Sequence, residues 1–116
     1  MGASGVGAPG VPPPPRAVAA VARVALFCPD LLFGSKVEGA LRAAGHEVVR
    51  DGHGDVAVVD LTQGEVPPPP AGMPTLGFYS HVDQEIRQAA EAAGYDLVVP
   101  RSRMNREGVR LVEGLL

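Results

Sequence analysis

Short apolar runs alternate with amphipathic stretches from residue 23 to the C-terminus. Residues 24–27 (VALF) are apolar without the in-out alternation of a half-exposed strand, and so predict a strand buried on both faces. From residue 32 onward Phe33, Val37, Ala40, Leu41 and Ala44 recur at helical spacing, and Gly45 is placed to end the helix in the left-handed conformation. Residues 46–50 (HEVVR), 56–61 (VAVVDL) and 75–79 (TLGFY) read as the second, third and fourth strands. In "SHVDQEIRQAAEAAG" Ser80 stands three residues before Asp83, a capping-box-like start that makes Ser80 the expected N-cap of a helix beginning near His81. Val82, Ile86, Ala89, Ala90 and Ala93 would form its buried stripe, with Gly94 as the stop. Residues 97–99 give a fifth strand. Met104, Leu111, Val112 and Leu115 give one face of a C-terminal helix capped by Ser102. Apolar strands alternating with helices predict a parallel sheet covered by helices.

Two connections break this pattern. Only "DGHGD", residues 51–55, separates the second strand from the third, where a helical crossover normally needs a dozen or more residues. Fully extended, five residues reach about 17 to 20 Å, so a parallel return is just feasible. Asp-Gly between apolar runs is also a hairpin signal, and a hairpin would turn the third strand antiparallel and carry Asp60 to the opposite edge. The link over residues 62–74 contains "PPPP" and cannot be an ordinary helix, although an extended polyproline segment can run back along the sheet. Two helices of an ordinary five-stranded α/β domain are therefore missing. The sheet face they would cover must be closed by the Pro-rich segments, a second copy or a partner.

Composition narrows the setting. Of 116 residues, the first 22 hold five prolines and four glycines with Arg16 as the only charge, which predicts a disordered tail over 1–22 and one domain over 23–116. A net charge of −3, with basic residues scattered apart from Arg101, Arg103 and Arg106, argues against a nucleic-acid surface. A single cysteine excludes an intramolecular disulfide and suits a reducing cytoplasm. No apolar run approaches the roughly 20 residues of a membrane span, and no signal-peptide pattern opens the chain.

The candidate chemistry lies at strand ends. Asp30 follows "CP" at a helix entry, where a cap for the helix is its simplest role. Asp60 ends the third strand, Ser80 follows the fourth, and Arg101 with Arg103 follows the fifth. Cys28 reads as an inert buried thiol, and His46 as a strand-edge residue. His53 and His81 have no third ligand at a metal-binding spacing. No Walker or dinucleotide phosphate loop is present, because "GASGVGAPG" precedes no strand-turn-helix unit.

A buried strand ending near an acid, a helix, then "VVDL", "GFYSHVD" and "DLVVPRS" in that order resembles the receiver domain of two-component response regulators, over residues 23–116. The resemblance implies a reduced flavodoxin-like (CheY-like) sheet of strand order 2-1-3-4-5, with shortened crossovers after strands 2 and 3 and its site at the carboxyl ends of the strands. It implies Asp60 as phospho-acceptor, Ser80 as the switch hydroxyl, and Asp30 with Asp60 as ligands of Mg²⁺. Such chemistry uses a carboxylate nucleophile, hard oxygen ligands, and a cation and a hydroxyl that offset the transferred charge. The match is partial. Pro29 stands where a second acid is expected, and Arg101 stands in the neighbourhood of the expected lysine.

These departures mark a degenerate, or pseudo-, receiver: a non-enzymatic bacterial signalling module, without a cofactor, acting on a protein partner or as a homodimer. Two other classes stay open. One is an active receiver phosphorylated on Asp60 with Mg²⁺. The other is a module that binds a nucleotide or other small anion at Asp30, Ser80 and Arg101.

Overall fold

A computed structural model describes residues 21–50, 52–80 and 83–116. The expected N-terminal tail, residues 1–22, lies outside this range except for Val21 and Ala22, and Ala22 is already buried. The elements are β1 (Arg23–Phe27), α1 (Leu31–Ala43), β2 (Glu47–Val49), β3 (Val56–Asp60), β4 (Thr75–Tyr79), α2 (Gln84–Ala93), β5 (Leu97–Pro100) and α3 (Arg101–Glu113). The five strands form one all-parallel sheet in the order β2-β1-β3-β4-β5, an α/β arrangement compatible with a flavodoxin-like fold. Among the described residues no helix is long and apolar enough to cross a membrane.

The direction of β3 decides the layout. Val24 pairs with Val48 on one side and Val56 on the other, both parallel, so the hairpin alternative for residues 51–55 is not adopted. The short return works because it runs close against β1. The Asp55 amide donates to the Arg23 carbonyl at 2.7 Å, and the Arg23 amide donates to the Asp55 carboxylate at 2.8 Å. Gly54 makes this approach possible, since a Cβ there would stand 2.5 Å from the Arg23 carbonyl oxygen and 3.1 Å from the Ala25 nitrogen.

One face of the sheet carries a helical layer. Val24, Leu26, Val56, Val58, Leu76 and Phe78 pack beneath Phe33, Val37 and Leu41 of α1 and Met104 and Val112 of α3. Phe33 and Phe78 meet at 5.1 Å between ring centroids, tilted by 54°. α3 has no side-chain cap. Its N-cap is Pro100, which has no acceptor to offer, and Ser102, the expected cap, falls inside the first turn.

The other face is covered differently. Ala25 and Ala57 are fully buried, and Val59, Leu61, Tyr79, Ala90 and Tyr95 form a second cluster joined by Val66 from the Pro-rich link. The Tyr95 hydroxyl donates to the Pro67 carbonyl at 2.9 Å, tying that link to the end of α2. On the same face Gly77 leaves room for the Leu61 and Tyr95 side chains. A Cβ at Gly77 would stand 2.6 Å from Leu61 Cδ1. Of the three expected covers, the chain's own Pro-rich segment is the one that lies here.

α2 also differs from expectation. Its N-cap is Asp83, whose carboxylate accepts from the Ile86 amide at 3.2 Å, while Ser80 contributes its backbone carbonyl to the Asp83 amide at 2.8 Å. His81 and Val82 lie outside the described residues. Ala90 is fully buried and Ile86 half-buried, whereas Ala89 and Ala93 face solvent, so the stripe is narrower than the alanine pattern suggested. Gly45 and Gly94 take φ of 95° and 104°, as their helix-ending positions require.

Candidate functional site

The carboxyl ends of the parallel strands form one rim, which carries Asp60 at the end of β3, Asp30 and Ser80 beyond the ends of β1 and β4, and Arg101 at the start of α3 directly after β5. Asp30 caps α1. Its Oδ1 accepts from the amides of Leu32 at 3.0 Å and Phe33 at 3.2 Å, because Asp30 itself is extended, with φ −71° and ψ 107°, and the first turn's amides face its carboxylate. Arg101 lies over the Phe33 ring at 4.6 Å and reaches the other Asp30 oxygen at 3.9 Å. Both groups are partly exposed, so the ion pair contributes at most about 1 kcal/mol, and the ring contact a similar amount. Arg103 turns away along α3 to Glu107, at 3.7 Å.

Asp30, Ser80 and Arg101 line one open cleft of about 800 Å³, together with Lys36, Thr62 and Asn105. Asp60 does not line it. This carboxylate is buried beside Cys28 under a neighbouring cleft of about 490 Å³, bounded by Pro29, Arg50, Gln63 and Pro67. Asp60 Oδ1 accepts from the Thr62 amide at 2.7 Å and from the Thr62 hydroxyl, which closes an Asx turn at the end of β3. Its Oδ2 accepts from Gln63 Nε2 at 3.3 Å and from the Cys28 thiol at 3.6 Å. The signal for this turn was present in "DLTQ", a strand-end Asp with Thr two residues on. Lys36 and Asn105 carried no such signal, because only the packing of α1 against α3 brings them to the cleft.

Among the described residues no three His, Cys, Asp or Glu side chains gather as a metal-holding group. Asp30 and Asp60 are each engaged by the turn that follows them. The 800 Å³ cleft presents Lys36 and Arg101 as cations, Asp30 as a carboxylate, and Ser80, Ser102, Thr62, Gln63 and Asn105 as hydrogen-bonding groups.

Cys28 is buried, and its thiol is pushed up to about 11, chiefly by loss of water and next by the facing Asp60 carboxylate. The thiolate needed for alkylation is therefore scarce near neutral pH. We expect iodoacetamide to leave the native chain unmodified at pH 7.5 and to label it once it is unfolded in urea, read by intact mass. The unfolded thiol ionises near 9.0 and the folded one near 11, so stability falls as pH rises through that window.

His46 has a larger structural role than its place at a strand edge suggested. It is buried, its Nδ1 accepts from the Ala22 amide at 3.2 Å, and its Nε2 faces Glu113 Oε2 at 2.8 Å. It joins the entry of β1 to the end of α3, with partners 24 and 67 residues away in sequence that no local pattern spans.

Compared with protein-family models, with curated proteins and with solved structures, the chain shows no match.

Proposed function

We propose that this chain is a degenerate receiver-like module, without phosphoryl chemistry of its own, that regulates by contact with another protein. The observation that carries the reading is the state of Asp60, the residue at the position a receiver phosphorylates. Only 6% of it is exposed, and both oxygens accept hydrogen bonds from its own loop and from Cys28. A carboxylate nucleophile needs an oxygen directed at the phosphorus in line with the leaving group. Here the lone pairs are spent on closing a turn. Pro29, in place of a second acid, and Arg101, in place of a lysine, point the same way. On this reading the rim residues serve as structure, and the surface they shape is left for a partner.

The test is incubation of the chain with a small phosphodonor and Mg²⁺, read by intact mass. The expected result is an unchanged mass at times when a competent receiver is fully modified. A phosphoryl gain that disappears in Asp60→Asn would overturn the reading and restore the active phospho-acceptor.

A further inference from the structure

The rim cleft is not closed at its α1–α3 side. A second depression of about 200 Å³ lies between α1 and α3, and it shares Lys36 and Asn105 with the rim cleft. The two form one groove that follows α1 from Leu32 to Leu41, about 14 Å at the helical rise.

Its floor is apolar. Val37, Ala40, Met104 and Val109 contribute, and Leu32, 88% exposed, forms a lip at the rim end. Gly108 keeps the floor open, since a Cβ there would stand 3.0 Å from Met104 Cε. The helix leaves regular geometry at Glu107, with φ −129° and ψ 17°, directly beside this opening.

Its border is mainly basic, with Asp30 and Glu107 as its acids. Lys36 and Arg106 stand along it, with Arg101 at the rim end and Arg110 at the far end. α3 carries four arginines and two glutamates, whereas the rest of the chain carries six basic and eleven acidic residues. A molecule of net charge −3 thus concentrates its positive charge beside this groove. Glu107 faces Arg103, Arg106 and Arg110 at 3.7, 3.9 and 4.0 Å, and these exposed pairs exchange partners at little cost.

We propose that the groove between α1 and α3 docks an acidic amphipathic helix of a partner protein. The inference rests on the protein-contact reading above and adds the surface and the chemistry of the partner. The inner depression suits one anchoring apolar side chain ringed by polar groups. A helix laid along the groove places apolar residues three or four apart on the floor and acidic residues against the basic border.

The experiment uses two designed peptides of roughly four helical turns, with identical leucines at helical spacing and either glutamate or lysine elsewhere. Each is titrated into the full ¹⁵N-labelled chain. The glutamate peptide is expected to shift the amides of Val37, Ala40, Met104 and Val109, to bind about tenfold or more tightly than the lysine peptide, and to weaken with added salt. Arg106→Glu/Arg110→Glu reverses two exposed charges, so the fold is retained, and it should erase that preference. Equal binding of both peptides, binding of neither, or shifts confined to another surface each overturn the groove proposal. None of these outcomes alters the phosphodonor result, on which the protein-contact reading is tested separately.

Discussion

Phe78→Ala is expected to lower the unfolding free energy by about 3–5 kcal/mol, a large share of the roughly 5–15 kcal/mol available to a domain. Phe78 is 1% exposed and sits at the centre of the sheet face beneath α1, with the Phe33 ring 5.1 Å away. Leu76, Val58 and Met104 are buried in the same core, so truncating the ring leaves a cavity in a close-packed layer. The loss is read as a lower urea midpoint at unchanged slope. A second consequence is specific to this fold. Phe33 rests on Phe78 and Arg101 rests on Phe33, so the rim cation is expected to lose its fixed position in the variant. Phe78→Leu, which keeps most of the volume, should cost markedly less. An alanine variant with wild-type stability would mean that the two rings do not anchor the helical layer.

Gly54→Ala is expected to destabilise the chain by about 1–3 kcal/mol, although the residue is only half-buried and a surface Gly-to-Ala change is usually neutral or helpful. The added Cβ meets backbone rather than a flexible side chain: the Arg23 carbonyl oxygen at 2.5 Å and the Ala25 nitrogen at 3.1 Å. Either the return over β1 lifts away, breaking the Asp55 amide bond to Arg23, or β1 itself moves. Gly39→Ala is the control, because Gly39 lies in α1 with nothing within 4 Å of its Cβ position, and it should be neutral or stabilising. Thermal unfolding of the two variants side by side separates the cases. A neutral Gly54→Ala would show that the connection does not depend on its close approach to β1.

The same residue marks the limit of what the sequence foretold. All five strands and three helices were legible from apolar runs and helical spacing, with ends displaced by up to three residues where caps compete. Asp30 as the cap of α1 was legible because Pro-Asp before an amphipathic run is a local pattern. The direction of β3 was not. "DGHGD" is compatible with a hairpin and with an extended return, and local preference favours the hairpin. What decided it was pairing on both sides of β1, where Val24 lies between Val48 and Val56. The α2 cap was misread for a related reason, since Ser80 and Asp83 both offer a capping oxygen and only the path out of β4 selects Asp83.

The chain by itself determined the elements, the apolar faces and the residue types at each strand end, because these follow from periodicity and turn chemistry within a few residues. Only the tertiary structure decided how those ends are used. It placed Asp30, Ser80 and Arg101 in one cleft and turned Asp60 into its own loop beside Cys28. It made His46 a buried link between Ala22 and Glu113, and it brought Val66 and Pro67 of the Pro-rich segment to the Tyr95 cluster on the second face. The physical reason is the same in each case. A buried polar group is satisfied by whichever donor or acceptor the fold brings within about 3 Å, and that partner is commonly dozens of residues away.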